Sequence, residues 1–122
     1  MKIHESAENY IETIYMLQKR QGDVRSIDIA NELDFSKPSV SVAMKNLREK
    51  GLITVDGTGF ITLTEEGTRI AEMMYERHTL LTDFLTRLGV DPEIAAEDAC
   101  RIEHVISEES FDAIKRYAGE QN

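Results

Sequence analysis

Ser36-Lys37-Pro38-Ser39-Val40-Ser41 opens a run that reads SKPSVSVAMKNLREKG over residues 36–51 and LITVDGTGFITL over residues 52–63. Ser36 is a side chain suited to accept from the free N–H groups at a helix start. Pro38 then falls in the first turn, where a missing N–H is harmless. Val40, Ala43, Met44 and Leu47 repeat at helical spacing, and Gly51 stands where a helix ends in the left-handed region. Two β-rich runs follow, Leu52 to Val55 and Phe60 to Leu63, around Asp56-Gly57-Thr58-Gly59, which predicts a hairpin.

Working outward toward the N-terminus, Asp34-Phe35 makes a tight connection. Ser26 is positioned to cap a helix of about two turns from Ile27 to Leu33, with Ile27, Ala30 and Leu33 as its apolar stripe. Before it, Glu8 to Arg20 carries Tyr10 or Ile11, Ile14, Met16 and Leu17 at helical spacing and stops before Gly22. Toward the C-terminus, Thr64 caps a long helix from Glu65 to about Leu88 with Ile70, Met73, Met74, Leu80, Leu81, Phe84 and Leu85, closed by Gly89. Asp91-Pro92 opens a further helix to about Ile106. Ser107 caps a last one through Phe111, Ile114 and Tyr117, ahead of a polar tail from Gly119 to Asn122.

Helix, short helix, tight turn, basic helix and hairpin, in that order, is the plan of a winged helix-turn-helix, in which the basic helix enters the major groove of DNA. The expected fold is therefore mainly α with a β-hairpin wing: a winged helix-turn-helix over residues 1–63 and a helical segment over residues 64–122. No repeat, low-complexity stretch or linker separates them.

The composition bounds the function. With 122 residues and 41% hydrophobic content the chain can bury a core, which excludes a disordered reading. The apolar runs are only a few residues long, and Met1 to Glu5 lacks the order of a signal peptide, so a soluble cytoplasmic protein with no membrane partner is expected. The net charge of −9 argues against nucleic acid until it is divided. Residues 1–63 hold eight Lys/Arg against nine Asp/Glu, and residues 64–122 hold six against fourteen. Lys37, Lys45, Arg48 and Lys50 face only Glu49 within residues 37–50, which marks that segment as the DNA-facing one. The candidate contacts to double-stranded DNA are Ser36, Lys37, Pro38, Ser39 and Ser41 at the helix start, with Lys45 and Arg48 on phosphates further along. The alternative is an ordinary solvated face.

Cys100 is the one cysteine and cannot form an internal disulfide, leaving a core side chain, a redox thiol or a metal ligand. Glu103 and His104 follow it at i+3 and i+4, so thiolate, carboxylate and imidazole share one helix face. Each residue alone has a structural explanation; the three together favour a metal. His78 on the preceding long helix, and Glu12 with Asn9 one turn before it on the first helix, are further candidate ligands. A metalloenzyme is a rival reading, since such ligands also activate water, but no separate acid/base constellation or phosphate loop accompanies them. No enzyme activity and no small-molecule substrate is therefore expected. A second rival is a winged-helix protein-interaction module without DNA, which the overall charge suits.

The segment Glu97-Asp98-Ala99-Cys100-Arg101-Ile102-Glu103-His104-Val105-Ile106-Ser107 resembles the metal-binding helix of the diphtheria-toxin-repressor and manganese-transport-regulator family. Ala7 to Tyr15 resembles that family's opening helix, Ser36 to Ser41 its recognition helix, and Arg77-His78-Thr79-Leu80-Leu81 its long dimer-region helix. The resemblance spans nearly the whole chain. It implies a dimeric, iron- or manganese-activated repressor of metal-uptake genes, with the apolar surplus of Ile70 to Leu88 and Val105 to Tyr117 serving a homodimer interface rather than only internal packing.

This chain also departs from the family. Cys100 follows the iron-type pattern and Glu12 the manganese-type, while Asn9 follows neither. Thr82 and Ala96 replace an ancillary carboxylate and imidazole, and no SH3-like third domain is expected, so one site with Glu12, His78, Cys100, Glu103, His104 and Asn9 as candidates is the expectation. Val42 stands where some members place a base-reading Gln. Thiolate disfavours Mn(II), so Fe(II) is the expected cofactor and Mn(II) the second choice, with Co(II), Ni(II) or Zn(II) able to substitute in vitro. The expected mechanism is that metal relieves repulsion between Glu12 and Glu103, docks the first helix and fixes the spacing of two recognition helices on a palindromic operator, one helical turn of about 34–36 Å apart or a multiple.

Overall fold

The first helix, α1 (Glu5–Gln21), turns Ile11, Ile14 and Leu17 inward, all at most 2% exposed, and ends at Gly22, whose φ of 85° only glycine adopts easily. In the computed structural model, residues 5–120 are described. Residues 1–4, over which no signal peptide is expected, and the last two residues of the polar tail lie outside them. The described chain continues through α2 (Ser26–Leu33), α3 (Lys37–Glu49), strands β1 (Ile53–Val55) and β2 (Ile61–Leu63), α4 (Glu65–Arg87), α5 (Pro92–Val105) and α6 (Glu108–Glu120). This is the mainly α architecture with one hairpin that the sequence predicts. It divides into two compact units, Met1–Glu72 and Met73–Asn122.

In the first unit, α1, α2, α3 and the hairpin enclose Val24, Ile29, Val40, Leu47, Leu52 and Ile53, each 0–2% exposed. The strands pair antiparallel, Ile53 with Leu63, Thr54 with Thr62 and Val55 with Ile61. Val24, just before α2, adds a bridge to Ile61, whose N–H donates to the Val24 carbonyl at 2.7 Å. The wing is thereby tied to the helical core by backbone as well as by side chains. Gly67 in the first turn of α4 lies against the backbone of Leu52, so close that a Cβ there would sit 2.1 Å from the Leu52 carbonyl oxygen.

Helix caps follow local chemistry. The hydroxyl of Ser36 accepts from the N–H of Ser39 at 3.3 Å, that of Thr64 from Gly67 at 3.1 Å and that of Ser107 from Ser110 at 3.0 Å, and the Asp91 carboxylate accepts from Glu93 at 3.2 Å. Four details differ from expectation. Ser26 is the first helical residue rather than the cap; Arg25 occupies the cap position, and its N–H donates to the Asp28 carboxylate at 2.8 Å. Ile29, not Ile27, is the buried isoleucine of α2, Ile27 being 40% exposed. Met16 and Met73 face solvent, while Met74 is fully buried. Finally, α6 continues through Gly119 to Glu120.

In the second unit, Leu81 of α4, Ala99 of α5 and Phe111 of α6 form a core that Leu80, Ile102, Ile106 and Ile114 surround. The Arg77 guanidinium donates to the carbonyls of Glu103 and Ile106, at 3.0 and 3.1 Å, and lies over the Phe111 ring. It thus satisfies carbonyls that the end of α5 leaves open. Among the described residues, no helix is long and apolar enough to cross a membrane.

Candidate DNA-binding surface and metal centre

The amphipathic split of α3 builds the first candidate surface. Val40, Met44 and Leu47 are buried, and Lys37, Pro38, Ser39, Ser41, Val42, Lys45 and Arg48 are all exposed. The basic side chains seen in the sequence therefore share the solvent side of one helix. At its start Ser36 also donates its hydroxyl hydrogen to Ser39 Oγ at 2.8 Å, so these two residues order one another and the first turn. Exposed N–H groups, hydroxyls and cations together suit a polyanionic partner.

The wing tip is ordered by Asp56. Its Oδ1 accepts from Thr58 Oγ1 at 2.7 Å, Thr58 N at 2.9 Å and Phe60 N at 3.0 Å. These bonds, that of the Thr58 hydroxyl foremost, hold the Asp56 carboxyl below its ordinary pKa. Gly59 takes φ 88° and closes the turn. Arg25 lies over the Phe60 ring, 4.3 Å from its centroid, beside the turn of the hairpin.

The second candidate site lies in the second unit and centres on Glu103, whose side chain is 0% exposed. Its Oε2 is 3.1 Å from His78 Nδ1, and its Oε1 is 3.5 Å from His104 Nε2. The thiol of Cys100 completes a cluster in which the ligand atoms of Cys100, Glu103 and His104 all lie within 4.8 Å of one another. Among the described residues, the buried Glu103 Oε1 has no hydrogen-bond partner. A carboxylate oxygen removed from water without a donor is costly, by several kcal/mol for a charged group. A cation among these ligands would offset that cost, and the donor set of thiolate, imidazole and carboxylate fits a divalent transition metal.

Helix periodicity explains why Cys100, Glu103 and His104 meet. The approach of His78 to Glu103, 25 residues away, is a product of packing between α4 and α5. Glu12 and Asn9 occupy successive turns of α1 in the first unit, both partly buried; the Asn9 backbone carbonyl accepts from Thr13 Oγ1 at 2.8 Å. Thr82 and Ala96 lie on α4 and α5 and add no charged or imidazole donor. The role of Arg77 is not legible in the sequence. Its only signal is its place next to His78, and nothing local reveals that it reaches the end of α5.

Two family models match the chain almost end to end: the N-terminal DNA-binding domain of iron-dependent repressors over residues 2–59, and their metal-binding and dimerisation domain over residues 64–121. Among relatives, the transcriptional regulator MntR of Escherichia coli O6:H1 is 39% identical over 113 residues, 93% of this chain and 73% of that protein. The HTH-type transcriptional regulator MntR of Listeria monocytogenes serotype 4a is 38% identical over 109 residues, 89% of this chain and 77% of that one. A solved manganese-dependent transcriptional repressor in complex with manganese superposes with a TM-score of 0.84 at 30% identity, covering 93% of this chain and 52% of the other. The manganese regulator SloR gives 0.82 at 27%, covering 93% and 53%. The chain thus spans about half the length of these solved structures. On this evidence the chain belongs to the diphtheria-toxin-repressor and manganese-transport-regulator family of iron-dependent repressors.

Proposed function

We propose that this protein is a divalent-metal-dependent transcriptional repressor that acts in the cytoplasm as a homodimer on a two-fold operator, with Fe(II) as its native metal. Residues 1–63 serve DNA binding, and residues 64–122 serve dimerisation and metal sensing. The observation that carries the reading is the buried Glu103 carboxylate, flanked by His78, His104 and Cys100 and left with an unsatisfied oxygen. That arrangement has an evident use in a protein whose occupancy by a cation is the signal.

Cys100, Glu103, His104 and His78 would hold the ion. Glu12, which follows the manganese-type pattern of the family, and Asn9, one turn before it on α1, join as further candidate ligands. A bound divalent cation supplies positive charge to a cluster that otherwise concentrates carboxylate oxygens. Cys100 would have to lose its thiol proton to ligate the ion, so metal affinity would fall as pH drops. Arg77 holds the end of α5 against α4 and so fixes the separation of Glu103 from His78. Ser36, Lys37, Pro38, Ser39, Ser41, Lys45 and Arg48 present hydroxyls and cations to the duplex. Metal favours DNA binding only by its difference in affinity for the two states, so operator DNA must tighten metal binding by the same factor.

The thiolate argues for Fe(II) over Mn(II), because a soft ligand disfavours the harder ion. Mn(II) is the second reading, favoured by the similarity to proteins described as manganese regulators. Anaerobic titration of Fe(II) and Mn(II) into the wild type and Cys100→Ala, read by operator binding, tests both. Fe(II) activation that depends on Cys100 is the expected result. Equal activation of both proteins by both metals would remove Cys100 from the site, and no operator binding under any condition would reject the repressor reading.

A further inference from the structure

The four arginines of the first unit divide by partner. Arg20 pairs with Glu32, and Arg69 with Glu66. Among the described residues, no carboxylate pairs with Arg25 or Arg48. Arg48 lies on the exposed side of α3 and is already used by the DNA-binding reading; Arg25 lies outside that helix. It is exposed, yet its guanidinium has a seat over the Phe60 ring, 4.3 Å from the centroid. Its backbone is fixed as well. The Arg25 N–H donates to the Asp28 carboxylate at 2.8 Å, and Val24 just before it bridges to Ile61 of β2. An aromatic ring attracts a cation without replacing its hydrogen-bond acceptors, so the five N–H donors of this guanidinium keep their capacity for an oxyanion. A side chain already seated also loses less rotamer freedom on binding than a free one.

The place of Arg25 in the fold indicates the partner. It is the cap residue of α2, and Phe60 adjoins the wing turn; α2 and β1 both pack against α3. In a helix-turn-helix the helix before the recognition helix crosses the DNA backbone. Arg25 therefore stands where the two elements that flank α3 meet, and there a duplex presents phosphates rather than base edges. The planar fork of a guanidinium matches two oxygens of one phosphate. We propose that Arg25 grips a backbone phosphate in each operator half-site, with Phe60 as the positioning residue that holds the guanidinium ready. This contact rests on the DNA-binding reading above and extends it beyond α3. For a homodimer its share of the salt dependence, about −2 in the slope of log K against log salt, adds to that of the α3 cations.

The test starts from a duplex selected out of a random pool by the homodimer, loaded anaerobically with Fe(II) and in parallel with Mn(II). Each phosphate of the selected operator is then replaced singly by a neutral methylphosphonate. At one phosphate per half-site the replacement should weaken wild-type binding by about tenfold, the effect of one charge-assisted contact. Arg25→Met keeps an apolar stem against Phe60 and removes the donors. It should lose about as much on the unmodified duplex, lose nothing further on the modified one, melt like the wild type, and show a salt slope shallower by about 2. Phe60→Leu keeps the cation without its seat, so binding should weaken with the slope unchanged. Losses that add at every phosphate, whether or not Arg25→Met also melts lower, would make Arg25 a structural staple between α2 and the wing and overturn the proposal. Wild-type binding by Phe60→Leu would overturn the positioning role. If the loaded wild type selects no sequence at all, the DNA-binding reading itself falls, an outcome distinct from specific binding that ignores Arg25.

Discussion

Glu103 sits where its charge is least comfortable. Its side chain is fully buried, with His78 on one oxygen at 3.1 Å and His104 Nε2 3.5 Å from the other. In the metal-free protein this carboxylate carries a desolvation cost that only partial pairing offsets. Glu103→Gln keeps the shape and removes the charge. The metal-free variant should therefore melt at the same temperature as the wild type or higher, while the rise in Tm on adding Fe(II) or Mn(II) disappears. Even residues that merely orient a ligand change metal affinity by about 10–100-fold, so loss of the central carboxylate should exceed that range. Thermal melts with and without metal check both halves. A metal-free variant far less stable than the wild type would mean that Glu103 is structural. Arg77 permits a complementary prediction. Arg77→Met keeps the contact with Phe111 but removes the donors to the Glu103 and Ile106 carbonyls, so metal affinity should fall with α5 still folded, a result visible by calorimetry alongside circular dichroism.

At the level of elements, two opposed effects meet at Gly67. In an open helix Gly→Ala stabilises by up to about 1 kcal/mol. Here the added Cβ would lie 2.1 Å from a backbone oxygen of Leu52, which no side-chain rotation relieves. Overpacking of this kind costs about 1–3 kcal/mol and occasionally more, so the clash outweighs the propensity. Gly67→Ala should lower stability to urea, and a gain would show that α4 and the Leu52 backbone separate easily. The wing offers a pH-dependent counterpart. Asp56 has its pKa lowered in the folded state by the Thr58 hydroxyl and the wing N–H groups. Its stabilising contribution is present above the ordinary carboxylate range and is lost as pH falls through the lowered folded value. Amide exchange at Thr58 and Phe60 should accelerate, relative to the intrinsic rate, on acidification, and in Asp56→Ala it should already be fast at neutral pH.

These elements also show what a sequence reveals. The caps at Ser36, Thr64, Asp91 and Ser107 were legible because each rests on a hydrogen bond spanning two or three residues. The cap of α2 is ambiguous in the sequence because Ser26 and Asp28 both offer oxygens there, and its two turns are too short for periodicity to separate Ile27 from Ile29. Cys100, Glu103 and His104 were legible from helical spacing. The Val24 bridge to Ile61 and the grip of Arg77 on α5 depend on tertiary packing that no local pattern encodes.

For the whole molecule the question is how a chain of net charge −9 holds a polyanion. The answer lies in local charge and screening. Lys37, Lys45 and Arg48 lie exposed on one face of α3, whereas residues 64–122 carry fourteen acidic side chains against six basic ones. At physiological salt, charges more than about 8 Å apart are largely screened, so attraction by cations in contact with phosphates outweighs repulsion from acidic side chains beyond that distance. Lower salt lengthens the screening distance and strengthens both effects together. If each subunit of a homodimer places three cations on phosphates, log K against log salt should have a slope of about −5, from roughly 0.9 per neutralised phosphate. Lys45→Ala removes one contact per subunit, so the slope should become shallower by about 2, with affinity lost almost equally across operator sequences. Fluorescence anisotropy over a salt series, at saturating metal, measures this directly. A slope unchanged by the substitution would take Lys45 off the phosphates and leave the other α3 cations to account for binding.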